Sequence, residues 1–183
     1  MKMIWLLVVL LAATTAYADN PTLAEAKATI IKLGKALDED KLDLKAAGQI
    51  LAAPFWYDDF NHYLGIPGSD ENAAKACKKQ WKKRGTVNIT DLAKFTACMP
   101  STNWNVALDA GSAPITEVDL NKLPKQLKKH KARLTQMAKT HLLVVAHYLP
   151  AGPEERWTVI ALTKKDGAIK IDALVHAGGV YGP

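Results

Sequence analysis

The chain has 183 residues, 49% hydrophobic and 23% charged, an ordinary globular balance, and a formal charge of +6 to which Lys2 contributes one unit. Past residue 18 no apolar run approaches the roughly 20 residues that cross a bilayer, which argues against a membrane-spanning helix in the mature protein. The two cysteines have no Cys-x-x-Cys spacing and no histidine at a ligand spacing nearby, which argues against a metal site.

The opening, MKMIWLLVVLLAATTAYA, sets one lysine before an apolar run and ends in Ala16-Tyr17-Ala18, with a small residue on either side of a cut. This pattern predicts a secretory signal peptide over residues 1–18, cleaved near Ala18, and a secreted or periplasmic product. The run is about half the length of a membrane span. Residues 19–183 are enough for a single α+β domain with its own core.

From Pro21 to Leu37, Leu23, Ala26, Ile30, Leu33 and Leu37 recur at spacings of three or four, which predicts an amphipathic helix. A second helix is expected from the N-cap Asp43 through Leu44, Ala47, Ile50 and Leu51, ended by Pro54. Phe55, Trp56 and Tyr57 read as extended, because aromatics favour strands, and Gly65, Pro67 and Gly68 mark a loop. Two further helices are expected, from Glu71 to about Lys83 and from Thr90 or Asp91 to Pro100. Pro124 opens another, with Leu123, Leu127, Leu134 and Ala138 as its buried stripe and Lys125, Lys128, Lys129 and Arg133 over the rest.

Three strand signals close the chain: HLLVVAHYL, RWTVIALTKK and AIKIDALVHA. Asp166-Gly167 between the last two predicts a tight hairpin. Strict alternation puts Ile169, Ile171, Ala173 and Val175 on one face of the last strand and Lys170, Asp172, Leu174 and His176 on the other, more polar one. That polar face is a candidate surface for a partner chain, including a homodimer through the sheet.

Cys77 and Cys98 each sit one turn from apolar neighbours on the two middle helices, and export exposes them to an oxidising compartment. A Cys77–Cys98 disulfide is expected to link that helical hairpin; closing a loop of about 20 residues contributes on the order of 3 kcal/mol.

The order of these pieces resembles the NTF2-like superfamily, with its ketosteroid-isomerase-like and polyketide-cyclase-like members. Helices come first, then LAAPFWYDDF, then the loop-into-helix PGSDENAAKACKKQW, then a meander ending in KKDGAIKIDALV. The resemblance implies N-terminal helices packed on a curved antiparallel sheet, a cone with a pocket inside. The disulfide-linked hairpin in the middle departs from the family pattern. The resemblance also implies Asp58 or its neighbour Asp59 as a general base at the rim of the first strand. The family's oxyanion hole uses a helical Tyr and a second acid; the first helix here holds no Tyr, and no second acid can be matched.

Trp56, Tyr57, Asp58, His62 and Tyr63 are therefore the candidate pocket residues, and Asp58 the candidate catalytic one; as adjacent strand residues, Asp58 and Asp59 point to opposite faces. No Gly-rich phosphate loop, His-Glu-x-x-His or Gly-x-Ser-x-Gly occurs, and nothing calls for a cofactor. The expected function is a non-catalytic binding or interaction domain for a small apolar ligand or a protein. The alternatives are an isomerase-like or cyclase-like enzyme using Asp58, or a basic adaptor for an anionic surface or acidic partner. The adaptor reading needs Lys78, Lys79, Lys82 and Lys83 to join the lysines from Lys125 to Lys131 in one patch. Nucleic acid is not expected as a partner, since the second lysine cluster has no interleaved aromatics.

Overall fold

The computed structural model describes residues 20–38, 41–58, 84–98, 114–148 and 154–180. The expected signal peptide, the helix expected after Glu71, Asp59, His62, Tyr63, Cys77 and the lysines from Lys78 to Lys83 lie outside the described residues, as does the side chain of Cys98. The expected Cys77–Cys98 bridge therefore lies outside them too.

Helix α1 (Leu23–Ala36) falls within the expected Pro21–Leu37 span and starts two residues later, after the N-cap Thr22. Thr22 accepts from the Glu25 amide while the Glu25 carboxylate takes the Thr22 amide at 2.7 Å, a capping box that satisfies two orphan donors. Ala26, Ile30 and Leu33 are fully buried. Asp43 caps α2 (Leu44–Ile50) by accepting from the Ala46 amide at 2.9 Å.

Strand β1 (Leu51–Asp58) begins earlier than expected, at the residue after α2. Pro54 does not end a helix; it lies inside the strand, because the residue before a proline is steered to extended geometry. The missing donor is tolerated where the ladder to the last strand is irregular, between Leu51 and Trp56. Strand β2 (Arg84–Val87) pairs antiparallel with β1, so Gly85 belongs to a strand rather than to a helix end. A one-turn 3-10 helix (Ile89–Asp91) leads into α3 (Leu92–Cys98).

Strand β3 (Ile115–Glu117) precedes a second 3-10 helix (Lys125–His130) that continues as α4 (Lys131–Met137). Leu127 and Leu134 are buried as the spacing predicts, whereas Ala138 is exposed because α4 stops at Met137. His130 takes the buried position instead. Strands β4 (Leu142–Tyr148), β5 (Glu154–Lys165) and β6 (Ala168–Val180) form the closing meander. Its last hairpin turns at Asp166 and Gly167, both with positive φ, as the Asp-Gly signal requires.

The protein is α+β, and its described residues form a six-stranded sheet in the order β2-β1-β6-β5-β4-β3. The sheet is mixed, not antiparallel: β1 runs parallel to β6. The two strands lie at opposite ends of the chain, and local patterning carries no information on their relative direction. A register shift on β6 also overturns strict alternation. Ile171 pairs with Leu162 and Ala173 with Ala161, so Asp172 is an extra residue and every side chain beyond it changes face. Ile171, Leu174 and, by alternation, His176 share one face, while Ala173, Val175 and Ala177 share the other.

Both faces are covered. On one, α1, α2 and α3 bury Ile30, Leu33, Phe55, Tyr57 and Phe95 against Ile160 and Leu174. On the other, Leu123, Leu127 and Leu134 pack on Leu143, Val159 and Val175. Each fully buried Leu, Ile or Phe contributes about 1.5–3 kcal/mol by leaving water.

Candidate functional site

The end of β1 sorts its side chains by parity. Phe55 and Tyr57 join the helix-covered core, and Trp56 and Asp58 face the second 3-10 helix and α4. The expected pocket of Trp56, Tyr57 and Asp58 is thus divided by the sheet, and no one cavity is walled by all three.

On the outer side, His130 Nδ1 stands 3.1 Å from the Asp58 carboxylate, and both side chains are less than a tenth exposed. Three residues further on, the Arg133 guanidinium lies 3.4 Å from the centroid of the Trp56 ring. Residues two apart on a strand and three apart on a helix are separated by similar distances, so two contacts clamp one helix onto one strand. Asp58 is accordingly neither a solvated turn carboxylate nor a base aimed into the helix-covered core. His130 was not visible as a partner from local sequence. The available signal is its spacing from Leu127 and Leu134, three and four residues away, on the buried side of a lysine-rich segment.

On the inner side, Phe95 meets Phe55 edge-on at 5.8 Å and Tyr57 at 5.1 Å. Burial pushes the Tyr57 phenol up to about 12. Tyr57 pairs with Leu174, and two residues along β6, about 7 Å by the strand rise, comes His176. Its Nδ1 shares a 3.1 Å hydrogen bond with Thr158 Oγ1 across the β5–β6 ladder, and both residues are buried. His176 is therefore interior and does not face a partner chain, because the extra residue at Asp172 re-registers the strand. Tyr57, Thr158 and His176 form a short polar row at one end of an otherwise apolar face.

Elsewhere His141 Nε2 approaches Asp172 at 3.8 Å, Thr163 donates to the same Asp172 oxygen, and His147 stacks flat on Trp157 at 3.6 Å. Among the described residues no three His, Cys, Asp or Glu converge as metal ligands would. An open depression of about 550 Å³ between α1 and α2 is lined by Lys32, Lys35, Lys41, Asp43 and Gln49. Asp43 is already engaged there as the α2 cap. Among the described residues no helix is long and apolar enough to cross a membrane.

No protein-family model matches the chain, and no curated protein or solved structure matches it either.

Proposed function

We propose that this chain is an exported, NTF2-like binding domain that holds a small, mostly apolar ligand on the helix-covered face of its sheet without acting on it chemically. The order of elements is the support for the family reading: two helices, β1 and β2, α3, β3 and α4, then the β4–β6 meander closing beside β1. Export rests on the first 18 residues of the sequence.

One observation carries the choice of face. Tyr57, Thr158 and His176 place three buried polar groups at the end of an otherwise aliphatic and aromatic face, the combination by which ligand sites join bulk affinity to orientation. The same geometry weighs against the enzyme reading. Asp58, the candidate base among the described residues, projects from the opposite face and is engaged by His130. A carboxylate held there has no route to a substrate lying against Tyr57.

The test is release and mass spectrometry of small molecules from the natively purified protein, with Thr158→Val and Tyr57→Phe prepared alongside. A stoichiometric apolar compound, depleted in either folded variant, supports the reading. An empty wild type that is not stabilised thermally by any of a broad panel of sterol, polyketide and fatty-acid ligands ends it.

A further inference from the structure

The segment from residue 121 to residue 140 holds seven of the chain's 24 Lys and Arg and none of its 18 Asp and Glu. The whole chain carries +6, so everything outside this segment carries one net negative charge. Basic charge is therefore concentrated in segments: residues 72–90 hold six further Lys and Arg without an acid, and residues 121–140, the richer of the two, fall on the second 3-10 helix and α4.

The 3-10 geometry arranges that charge. With three residues per turn, side chains at i and i+3 lie above one another. Leu127 and His130 form the row against the sheet, and both are buried. Lys125 and Lys128 form an exposed row, continued by Lys131 at the start of α4, with steps of about 6 Å along the axis. The row stands on a fixed base: His130 on Asp58, Arg133 on Trp56, and Leu127 and Leu134 in the core. At the start of the segment Lys122 pairs with Asp119 at 3.7 Å.

We infer that this face docks the protein on an anionic lipid surface. Charge complementarity sets the sign of the occupant, and the composition of the face sets its kind. Its exposed side chains are Lys, Arg, Gln, Asn, Thr and Ala, with no Phe, Trp or Tyr anywhere in the segment. A protein partner takes most of its affinity from aromatic and Arg anchors seated in pockets, and this face has none to offer beyond Arg133, already laid on Trp56. Lysine is the cation suited to a fluid array of phosphates, being a point charge on a flexible stem rather than a fork needing one fixed geometry. The apolar side of the helix is spent on the core, so attachment is peripheral and reversible, held by charge alone. The inference is independent of the ligand reading, which concerns the opposite face of the sheet.

The experiment is co-sedimentation of the protein with phosphatidylcholine vesicles, with and without phosphatidylglycerol. The triple variant Lys125→Gln/Lys128→Gln/Lys131→Gln is compared with Lys27→Gln/Lys32→Gln/Lys35→Gln, which removes the same charge from exposed positions of α1. Binding is expected only to the anionic vesicles, falling steeply between about 0.05 M and about 0.5 M salt. The first triple variant is expected to bind on the order of 100-fold more weakly, and the α1 variant like the wild type. Lys128→Gln alone, expected to lose roughly fivefold, settles the matter should the triple variant fold poorly. Equal binding to neutral vesicles, equal loss in both triple variants, or no binding at low salt overturns the inference. So does capture by heparin or an acidic protein while vesicles are ignored.

Discussion

His130 Nδ1 lies 3.1 Å from the Asp58 carboxylate, joining the second 3-10 helix to the last residue of β1 across 72 positions of sequence. The pair is buried, so removing one member leaves the other without its partner where water does not reach it. Asp58→Ala and His130→Ala are each expected to destabilise the fold by about 3 kcal/mol, the low end for a broken buried pair. The double variant is expected to cost clearly less than the two combined, a coupling measurable by urea unfolding in a double-mutant cycle. Additive effects would mean that the contact contributes nothing of its own.

Arg133 over Trp56 is the second half of the same clamp, and it is more exposed. Arg133→Ala is expected to lower stability by about 0.5–1 kcal/mol, the range for a cation over an aromatic face at the surface. Arg133→Lys should retain part of that, since an ammonium keeps the charge but not the flat stacking. Removing Trp56 first, as Trp56→Leu, should lower the cost of both Arg133 substitutions. An Arg133→Ala cost undiminished in the Trp56→Leu background would assign it to another contact.

Features that depend on neighbouring residues were legible in the sequence. Asp43 before α2 and Asp166-Gly167 between two β-rich runs each act over two to four residues, and each forms the expected structure. Features set by distant pairing were not. The shift at Asp172 depends on which residues of β5 and β6 find one another, and a period-two reading of AIKIDALVHA has no means of placing it. The parallel alignment of β1 with β6 and the Asp58–His130 pair are of the same kind. For the candidate site this mattered most at Tyr57 and Asp58. The alternation of adjacent residues was evident, but not what lay on either side of them.

The capping box at the start of α1 has a pH signature. The Glu25 carboxyl is held below its usual value chiefly by the Thr22 amide, then by the Thr22 hydroxyl and by Lys164, 3.3 Å away. A folded-state pKa below the unfolded one means stability that is fully present above the unfolded value and lost as pH falls through the folded one. Thr22→Ala is expected to cost about 1 kcal/mol at neutral pH. It should also flatten the acid limb of the stability curve below about pH 4.5. Thermal melts of wild type and variant between neutral and acidic pH would show the two curves converging. Parallel curves would mean that the Thr22 hydroxyl adds nothing to the hold of the residue-22 amide and Lys164 on Glu25.

Tyr57 has the opposite signature, at the alkaline end. Burial against Phe95 and the helix-covered core raises its phenol to about 12 from the usual 10. The unfolded chain releases that proton first, so its stabilising effect is complete below pH 10 and is lost as pH rises through the folded value. Over that window the folding equilibrium is expected to weaken by up to about tenfold per pH unit from this group alone, since one proton is at stake. Tyr57→Phe should keep the ring packing on Phe95 and remove the window. Ultraviolet titration of the folded protein should then lose its latest-titrating phenol, while its stability becomes less sensitive to alkali than the wild type. If the variant loses a phenol titrating near the ordinary value, Tyr57 is in contact with water, and the inner face beside Thr158 and His176 is wet rather than apolar.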